Sequence, residues 1–135
     1  MCLERVVKIY TSYFANRKKL ESQNIEVVAI SRGKPRGWRG RSYDQLAPTW
    51  QMLKMSDEDY EREYQKILAS NSQEDFINFL SDGLKKGCVG VALCCWEKDI
   101  NDCHRKAVGE WLRSAGYEVT EFGIDVDKPV QERLL

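Results

Sequence analysis

Three adjacent residues in the last third of the chain, Cys103, His104 and Arg105, carry the side chains best suited to chemistry. A thiol can act as a nucleophile, an imidazole can carry a proton near neutral pH, and a guanidinium can bind an anion. Glu97 lies seven residues before His104 and could orient or protonate its imidazole, or could pair with Arg105. The sequence leaves both roles of Glu97 open. We take Glu97, Cys103 and His104 as candidate catalytic residues and Arg105 as a candidate anion-binding residue.

A predicted helix that begins at Asn101 or Asp102 positions these residues. Its apolar stripe includes Val108 and Leu112, and His104 lies one turn before Val108 on the same stripe. The first turn of a helix offers unpaired N–H groups and a partial positive charge, which favour a thiolate or a bound anion. The alternative is structural: a buried cysteine filler followed by a histidine that only bonds a backbone carbonyl.

The five cysteines predict neither a disulfide framework nor a metal site. Their number is odd and their spacing irregular, which in a reducing compartment favours thiols, metal ligands or buried fillers over a disulfide framework. Cys94, Cys95, Cys103 and His104 together suggest zinc, but neighbouring strand residues point to opposite faces, so Cys94 and Cys95 cannot easily share an ion. Cys-x-x-Cys pairs do not occur. No cofactor is assigned from the sequence.

The hydrophobic pattern predicts an α/β protein. Alternating strands and helices indicate a three-layer, Rossmann-like domain with a mostly parallel sheet of about four strands flanked by helices. One domain is expected over 1–135, with 123–135 as a tail or an edge element. Strands are predicted over 6–10, 25–31, 89–95 and 117–122, a short helix or an ordered loop over 14–20, and capped helices after Ser56 and Ser72. The continuous apolar run 89–95 predicts the central strand.

Ligands of open parallel sheets bind beyond the carboxyl ends of the strands. This rule selects Tyr10 and Ser12 after the first strand and Arg32 after the second as candidate binding residues. We therefore expect them to face the same crevice as the Cys-His-Arg triplet.

Residues 32–41, named here the basic loop, hold five basic residues, three glycines, one tryptophan and no acid. Arginine and tryptophan together suit phosphate pairing and base stacking, so Arg36, Trp38 and the nearby Tyr43 are candidate contacts for an anion or a nucleic acid. The alternative is an exposed, flexible loop kept in solution by its charges. The glycine spacing is neither that of a phosphate-binding P-loop nor that of a dinucleotide fingerprint.

The remaining composition narrows the class of protein. The whole chain has no net charge, although residues 1–41 carry ten basic and three acidic residues. No apolar run approaches the roughly 18–20 residues of a membrane span, and the start lacks the apolar stretch of a signal peptide. We therefore expect a cytoplasmic protein without a membrane partner.

Three segments resemble domain-of-unknown-function family 488, over most of residues 6–122. They are an aromatic-Thr/Ser stretch (9–14), an Ile-Ser strand followed by a proline-containing loop (30–35), and Cys-x-Glu followed by Cys-His-Arg (95–105). The resemblance implies a small α/β fold in which Glu97, Cys103, His104 and Arg105 act together. It implies no particular reaction.

Three functions follow as hypotheses. The first is an enzyme acting on a nucleotide, a nucleoside or a nucleic-acid-derived anion, in which Arg105 and Arg32 hold the anion and His104 with Glu97 moves protons. Cys103 is then a nucleophile or a packed support, and the sequence does not choose. The second is a non-catalytic nucleic-acid-binding module that uses the basic loop. The third is a thiol redox or metal-binding protein. The sequence does not indicate an oligomeric state.

Overall fold

A computed structural model describes residues 8–99 and 103–123. Four strands and four α-helices follow one another in it, with short 3-10 turns at Phe14–Asn16, Asp44–Leu46 and Gln51–Lys54. In chain order the elements are β1 (Lys8–Tyr13), α1 (Arg17–Ser22), β2 (Ile25–Ala29), α2 (Asp57–Ala69), α3 (Gln73–Asp82), β3 (Gly90–Cys95), α4 (Arg105–Ser114) and β4 (Val119–Glu121).

The strands form one sheet in the order β2-β3-β1-β4, and every pair is parallel. One face packs against α2, α3 and α4, and the other against α1 and the basic loop. The predicted three-layer, Rossmann-like α/β fold is thereby confirmed. All six residues of β3 are buried, as its apolar run predicted for a strand covered on both faces.

The sheet order predicts a crevice between β1 and β3. These two strands are neighbours, but the chain leaves β1 toward α1 on one face and leaves β3 toward α4 on the other. Divergent connections open the carboxyl edge of a parallel sheet, which is where ligands bind in this class of fold. The crevice therefore opens where Tyr13 pairs with Cys95.

Local signals position the helices well and some strand ends poorly. The Ser56 and Ser72 hydroxyls accept hydrogen bonds from the backbone N–H of Asp59 (3.2 Å) and Asp75 (3.1 Å), which confirms both predicted caps. β1 extends to Tyr13 rather than ending at Tyr10, because its buried Thr11 and Ser12 interrupt the apolar pattern without ending the ladder.

Some predicted boundaries fall outside the described residues. The predicted helix start at Asn101 or Asp102 lies there, and within the described chain α4 begins at Arg105 with His104 as its N-cap. Residues 124–135 of the predicted tail also lie there. Within the described chain, no helix has both the length and the apolar content needed to cross a bilayer.

The basic loop is tied to the domain by most of its charges. Arg32 donates to the carbonyls of Ala47 and Pro48 (both 3.2 Å), and Lys34 pairs with Asp44 at 2.6 Å. The Arg41 guanidinium donates to both carboxylate oxygens of Glu26, at 2.8 and 3.0 Å, and to two α3 carbonyls. These contacts make the basic loop an ordered part of the fold.

The guanidinium of Arg41 is expected to contribute measurably to stability. Replacing Arg41 with Lys keeps the charge but loses the planar set of donors, so we expect the free energy of unfolding to fall by about 1.5–3 kcal/mol in urea denaturation. The control is Arg36→Lys at an exposed position of the same loop, where we expect a change within about 0.5 kcal/mol. Equal effects of the two variants would contradict this assignment.

Candidate functional site

Cys95 and Cys103 form a disulfide at the carboxyl edge of the sheet. Cys95 is the last residue of β3, and its side chain lies on the α4 face of the sheet. Cys94 lies on the opposite face, in the cluster that contains Leu20 and Ala92. The prediction that Cys94 and Cys95 point apart is confirmed. The sequence favoured thiols, metal ligands or buried fillers over a disulfide framework, and it did not anticipate the bond between Cys95 and Cys103; Cys88 and Cys94 are free thiols.

Arg105 holds this region in place with its whole guanidinium, which is fully buried. Its Nε and Nη2 donate to the two carboxylate oxygens of Glu121, at 3.0 and 2.8 Å. Nη2 also donates to the carbonyl of Lys98 at 2.8 Å, and Nη1 donates to Cys95 Sγ at 3.1 Å and to the carbonyl of Glu97. All five N–H donors of the side chain are thus used within the chain.

This geometry gives Arg105 a positioning role, and its anion-binding role stays a prediction. An incoming anion would have to displace a carboxylate, a carbonyl or Cys95 before it reached the guanidinium. Thr11 adds a further bond to the same carboxylate, since its hydroxyl donates to Glu121 Oε1 at 2.7 Å. The guanidinium thereby joins the end of β3, the loop after it and β4.

His104 is buried and holds the start of α4 against the end of β2. Its Nε2 lies 2.7 Å from the carbonyl of Ile30, and its ring packs edge-on against Tyr64. Because a carbonyl only accepts, Nε2 carries the proton, and the bare Nδ1 faces Cys103 Sγ at 3.8 Å. Burial lowers the pKa of His104 to about 4, with a smaller effect of the Arg105 charge in the same direction. The imidazole is therefore neutral at neutral pH.

The bond to Ile30 is the one that the structural alternative predicted for His104. Nδ1 is not used in that bond and faces Cys103 Sγ. The structural role of His104 therefore uses Nε2, and a functional role would use Nδ1. Glu97 makes no hydrogen bond to His104 within the described residues, and its side chain is exposed. Burial, followed by the charge of Glu97, raises the pKa of Tyr60 to about 12. The Glu97 carboxylate therefore helps to keep the Tyr60 hydroxyl protonated.

A cavity of about 380 Å³ lies between α2 and α4, and Cys103 and His104 form part of its wall. Tyr60 and Tyr64 supply its aromatic surface. Its charged lining consists of three carboxylates and one ammonium group, those of Asp57, Glu61, Glu110 and Lys106. Negative charge predominates, so this cavity favours a neutral or cationic ligand over an anion.

The other predicted binding residues lie elsewhere. Strand alternation directs Tyr10 and Ser12 to the α1 face, where Tyr10 packs against Phe122 and the Ser12 hydroxyl accepts from Asn16 at 3.0 Å. Arg32 binds loop carbonyls, and Arg36 is exposed. Of the predicted set, the structure brings together Cys103, His104 and Arg105.

Sequence reasoning missed Cys95 and Glu121 as members of this site. Cys95 ends the central strand, and the alternation that separates it from Cys94 also directs it toward α4, so the signal for Cys95 was present. Glu121 carried no comparable signal, because its role depends on the pairing of β4 with β1.

The neutral state of His104 predicts a pH-dependent stability. The ordinary pKa is 6.5, and the folded value is about 4, so the unfolded chain binds the additional proton between these values. Protonation of His104 therefore leaves the free energy of unfolding unaffected above about pH 6.5. As the pH falls toward 4, it lowers that free energy by about 3 kcal/mol at most. Urea denaturation at a series of pH values between 7 and 4, with a metal chelator present, measures this loss of stability. His104→Gln keeps a donor for Ile30 and does not titrate, so a slope as steep as that of the natural chain would contradict the prediction.

Comparison with known proteins bears on this geometry. No curated protein and no solved structure shows significant similarity to the chain. The model of a family described as the active DUF488-N3 subclade matches residues 8–116, which contain the cysteine pair, His104 and Arg105. Because that match covers most of the chain, the protein belongs to family DUF488, within its DUF488-N3a group.

Proposed function

We propose that this chain is an enzyme of thiol–disulfide exchange, in which Cys103 attacks a substrate disulfide and Cys95 completes the reaction. The observation that carries the proposal is the bond between Cys95 and Cys103 at the carboxyl edge of the sheet. Two sulfurs that reach each other there can store and release two electrons. The description of the matching subclade as active supports a catalytic role.

The surroundings of the two sulfurs differ in a way that suits two roles. Cys103 is 8% exposed and forms part of the cavity wall, whereas Cys95 is fully buried. The backbone N–H of Arg105 points to Cys103 Sγ at 3.4 Å, and its Nη1 donates to Cys95 Sγ. N–H donors of this kind stabilise a thiolate. Because both sulfurs have such a donor, exposure decides their roles: Cys103, which lines the cavity, is the attacking sulfur, and the buried Cys95 is the resolving one.

The reaction proceeds in two exchanges. The Cys103 thiolate attacks one sulfur of the substrate disulfide, forms a mixed disulfide and releases the first substrate thiolate. The Cys95 thiolate then attacks Cys103 Sγ, which releases the second substrate thiolate and forms the Cys95–Cys103 bond. The substrate gains two electrons and the enzyme loses two. A dithiol reductant returns the enzyme to its starting state.

The lining of the cavity revises the substrate class inferred from the sequence. A nucleotide-derived anion at Cys103 would meet the carboxylates of Asp57, Glu61 and Glu110, while Arg105 and Arg32 have their donors engaged. The hypothesis of an enzyme is retained, together with Cys103 and His104. Its preferred substrate becomes a disulfide on a neutral or basic molecule. Glu97 contributes further negative charge near Tyr60.

A neutral aromatic disulfide, 4,4′-dithiodipyridine, tests the proposal on reduced protein. We expect Cys103 to react about tenfold faster than the half-buried Cys88 at neutral pH, measured by quenched-flow peptide mass analysis. The natural chain should end with the Cys95–Cys103 bond, and Cys95→Ser should retain the mixed disulfide on Cys103. The Cys88→Ser control should leave the rate of Cys103 and the final Cys95–Cys103 bond unchanged.

Two results would contradict the proposal. One is a Cys95–Cys103 bond that millimolar dithiothreitol does not reduce in the folded chain, as expected of a purely structural cross-link. The other is a Cys103 thiol that reacts no faster than Cys88. Turnover provides the final criterion: the chain should accelerate the reduction of a basic peptide disulfide by dithiothreitol, and Cys103→Ser should abolish the acceleration.

A specific observation favours nucleic-acid binding as a second candidate function. Trp50 and Trp96 are 62% and 53% exposed, and both indoles lie close to Gly33 of the basic loop. Arg36 and Arg39 of the basic loop are exposed and make no ion pair within the described residues. Exposed indoles that lie against a loop with unpaired arginines suit the stacking of unpaired bases. Tyr43 is not part of this surface, because it packs against Phe76 and Phe79.

Fluorescence anisotropy with a labelled single-stranded oligonucleotide tests the second candidate. We expect affinity to fall steeply with salt, and Trp50→Ala or Trp96→Ala to weaken it by about fivefold or more. The control is Val89→Ala, which alters an exposed apolar residue at the opposite edge of the sheet. Binding that is absent, or equal in all three variants, would remove this function.

A further inference from the structure

Three ligand atoms that soft metal ions prefer converge at the proposed site. Cys95 Sγ, Cys103 Sγ and a ring nitrogen of His104 all lie within 4.8 Å of one another, and the three residues are buried. The objection to a metal site in the sequence concerned Cys94 together with Cys95. In the structure Cys103, and not Cys94, lies beside Cys95, so that objection does not apply to Cys95, Cys103 and His104.

The imidazole of His104 is oriented as a metal-binding histidine usually is. Such histidines donate the N–H of one ring nitrogen to a carbonyl or a carboxylate, which fixes the other nitrogen on the metal. Here Nε2 is bonded to the carbonyl of Ile30 at 2.7 Å, and Nδ1 faces Cys103 Sγ. Nδ1 can therefore bind a metal ion while the bond from Nε2 to Ile30 stays in place.

The charge balance also requires a partner for the reduced sulfurs. Arg105 is already neutralised by Glu121, with which it forms an ion pair at 2.8 Å. If both cysteines lost their protons, two negative charges would be buried beside two N–H donors and a guanidinium that Glu121 already neutralises, and such charges are costly. A proton on each sulfur, a disulfide or a divalent cation can each remove this cost.

We propose that the reduced chain binds one zinc ion through Cys95 Sγ, Cys103 Sγ and His104 Nδ1, and that zinc and the disulfide exclude each other. Binding releases one proton from each thiol, and oxidation of the pair by a disulfide substrate expels the ion. Cys103 and His104 line the cavity, so a molecule in the cavity would lie beside the bound ion. The inference shares its two cysteines with the proposed function but requires His104 in addition.

Zinc and cobalt titrations of the reduced full-length chain test the proposal. We expect one equivalent of Zn²⁺ to bind in competition with a chromogenic chelator, and Co²⁺ to give thiolate-to-cobalt charge-transfer absorption. The oxidised chain, Cys95→Ser and Cys103→Ser should lack this absorption. His104→Gln keeps a donor for Ile30 and removes Nδ1, and it should weaken zinc binding by about tenfold or more. Cys94→Ser and Cys88→Ser are the controls and should bind as the natural chain does.

The outcomes separate this inference from the proposed function. Thiol–disulfide exchange without zinc binding would overturn the zinc site alone. Zinc that stays bound to the oxidised chain, to Cys103→Ser, or with unchanged affinity to His104→Gln would overturn it as well. Zinc binding by a chain whose Cys103 is no more reactive than Cys88 would support the metal site and contradict the exchange reaction.

Discussion

Removing a guanidinium from water costs several kcal/mol unless nearly every N–H finds an acceptor. Arg105 meets this requirement with Glu121 from β4, Cys95 from β3 and the carbonyls of Glu97 and Lys98. The geometry of the site depends on this interaction, because the segments that it joins are not neighbours in the sheet. β3 and β4 lie on either side of β1, and the Arg105 side chain connects them past that strand.

The fold could be predicted from the sequence because its signals are local. Two serine caps, an unbroken apolar run over 89–95 and a helical stripe through Val108 and Leu112 depend only on residues a few positions apart. The same stripe correctly placed His104 toward the core, where it is 8% exposed. The polar residues of β1 obscured its end, since strand pairing with β3 overrides their local preference.

The site was predictable only in part, because hydrogen-bond partners are not local. The sequence identified Cys103, His104 and Arg105, yet it could not show that the five donors of Arg105 would be used inside the chain. Nor could it show that Lys34 and Arg41 would find carboxylates, those of Asp44 and Glu26. A run of positive charge indicates an anionic ligand only when the fold has not already supplied the anions.

The order of the strands also has a consequence for how the chain folds. β1 is one of the two central strands, but both of its neighbours, β3 and β4, come from the last third of the described sequence. During synthesis β1 must therefore wait, with both hydrogen-bonding edges open, until the chain through β3 has left the ribosome. Such long-range parallel pairing slows folding and exposes strand edges to other chains. β1 is the strand whose edges are exposed in this way, since its ladder with β3 begins only at the pair Lys8 and Gly90.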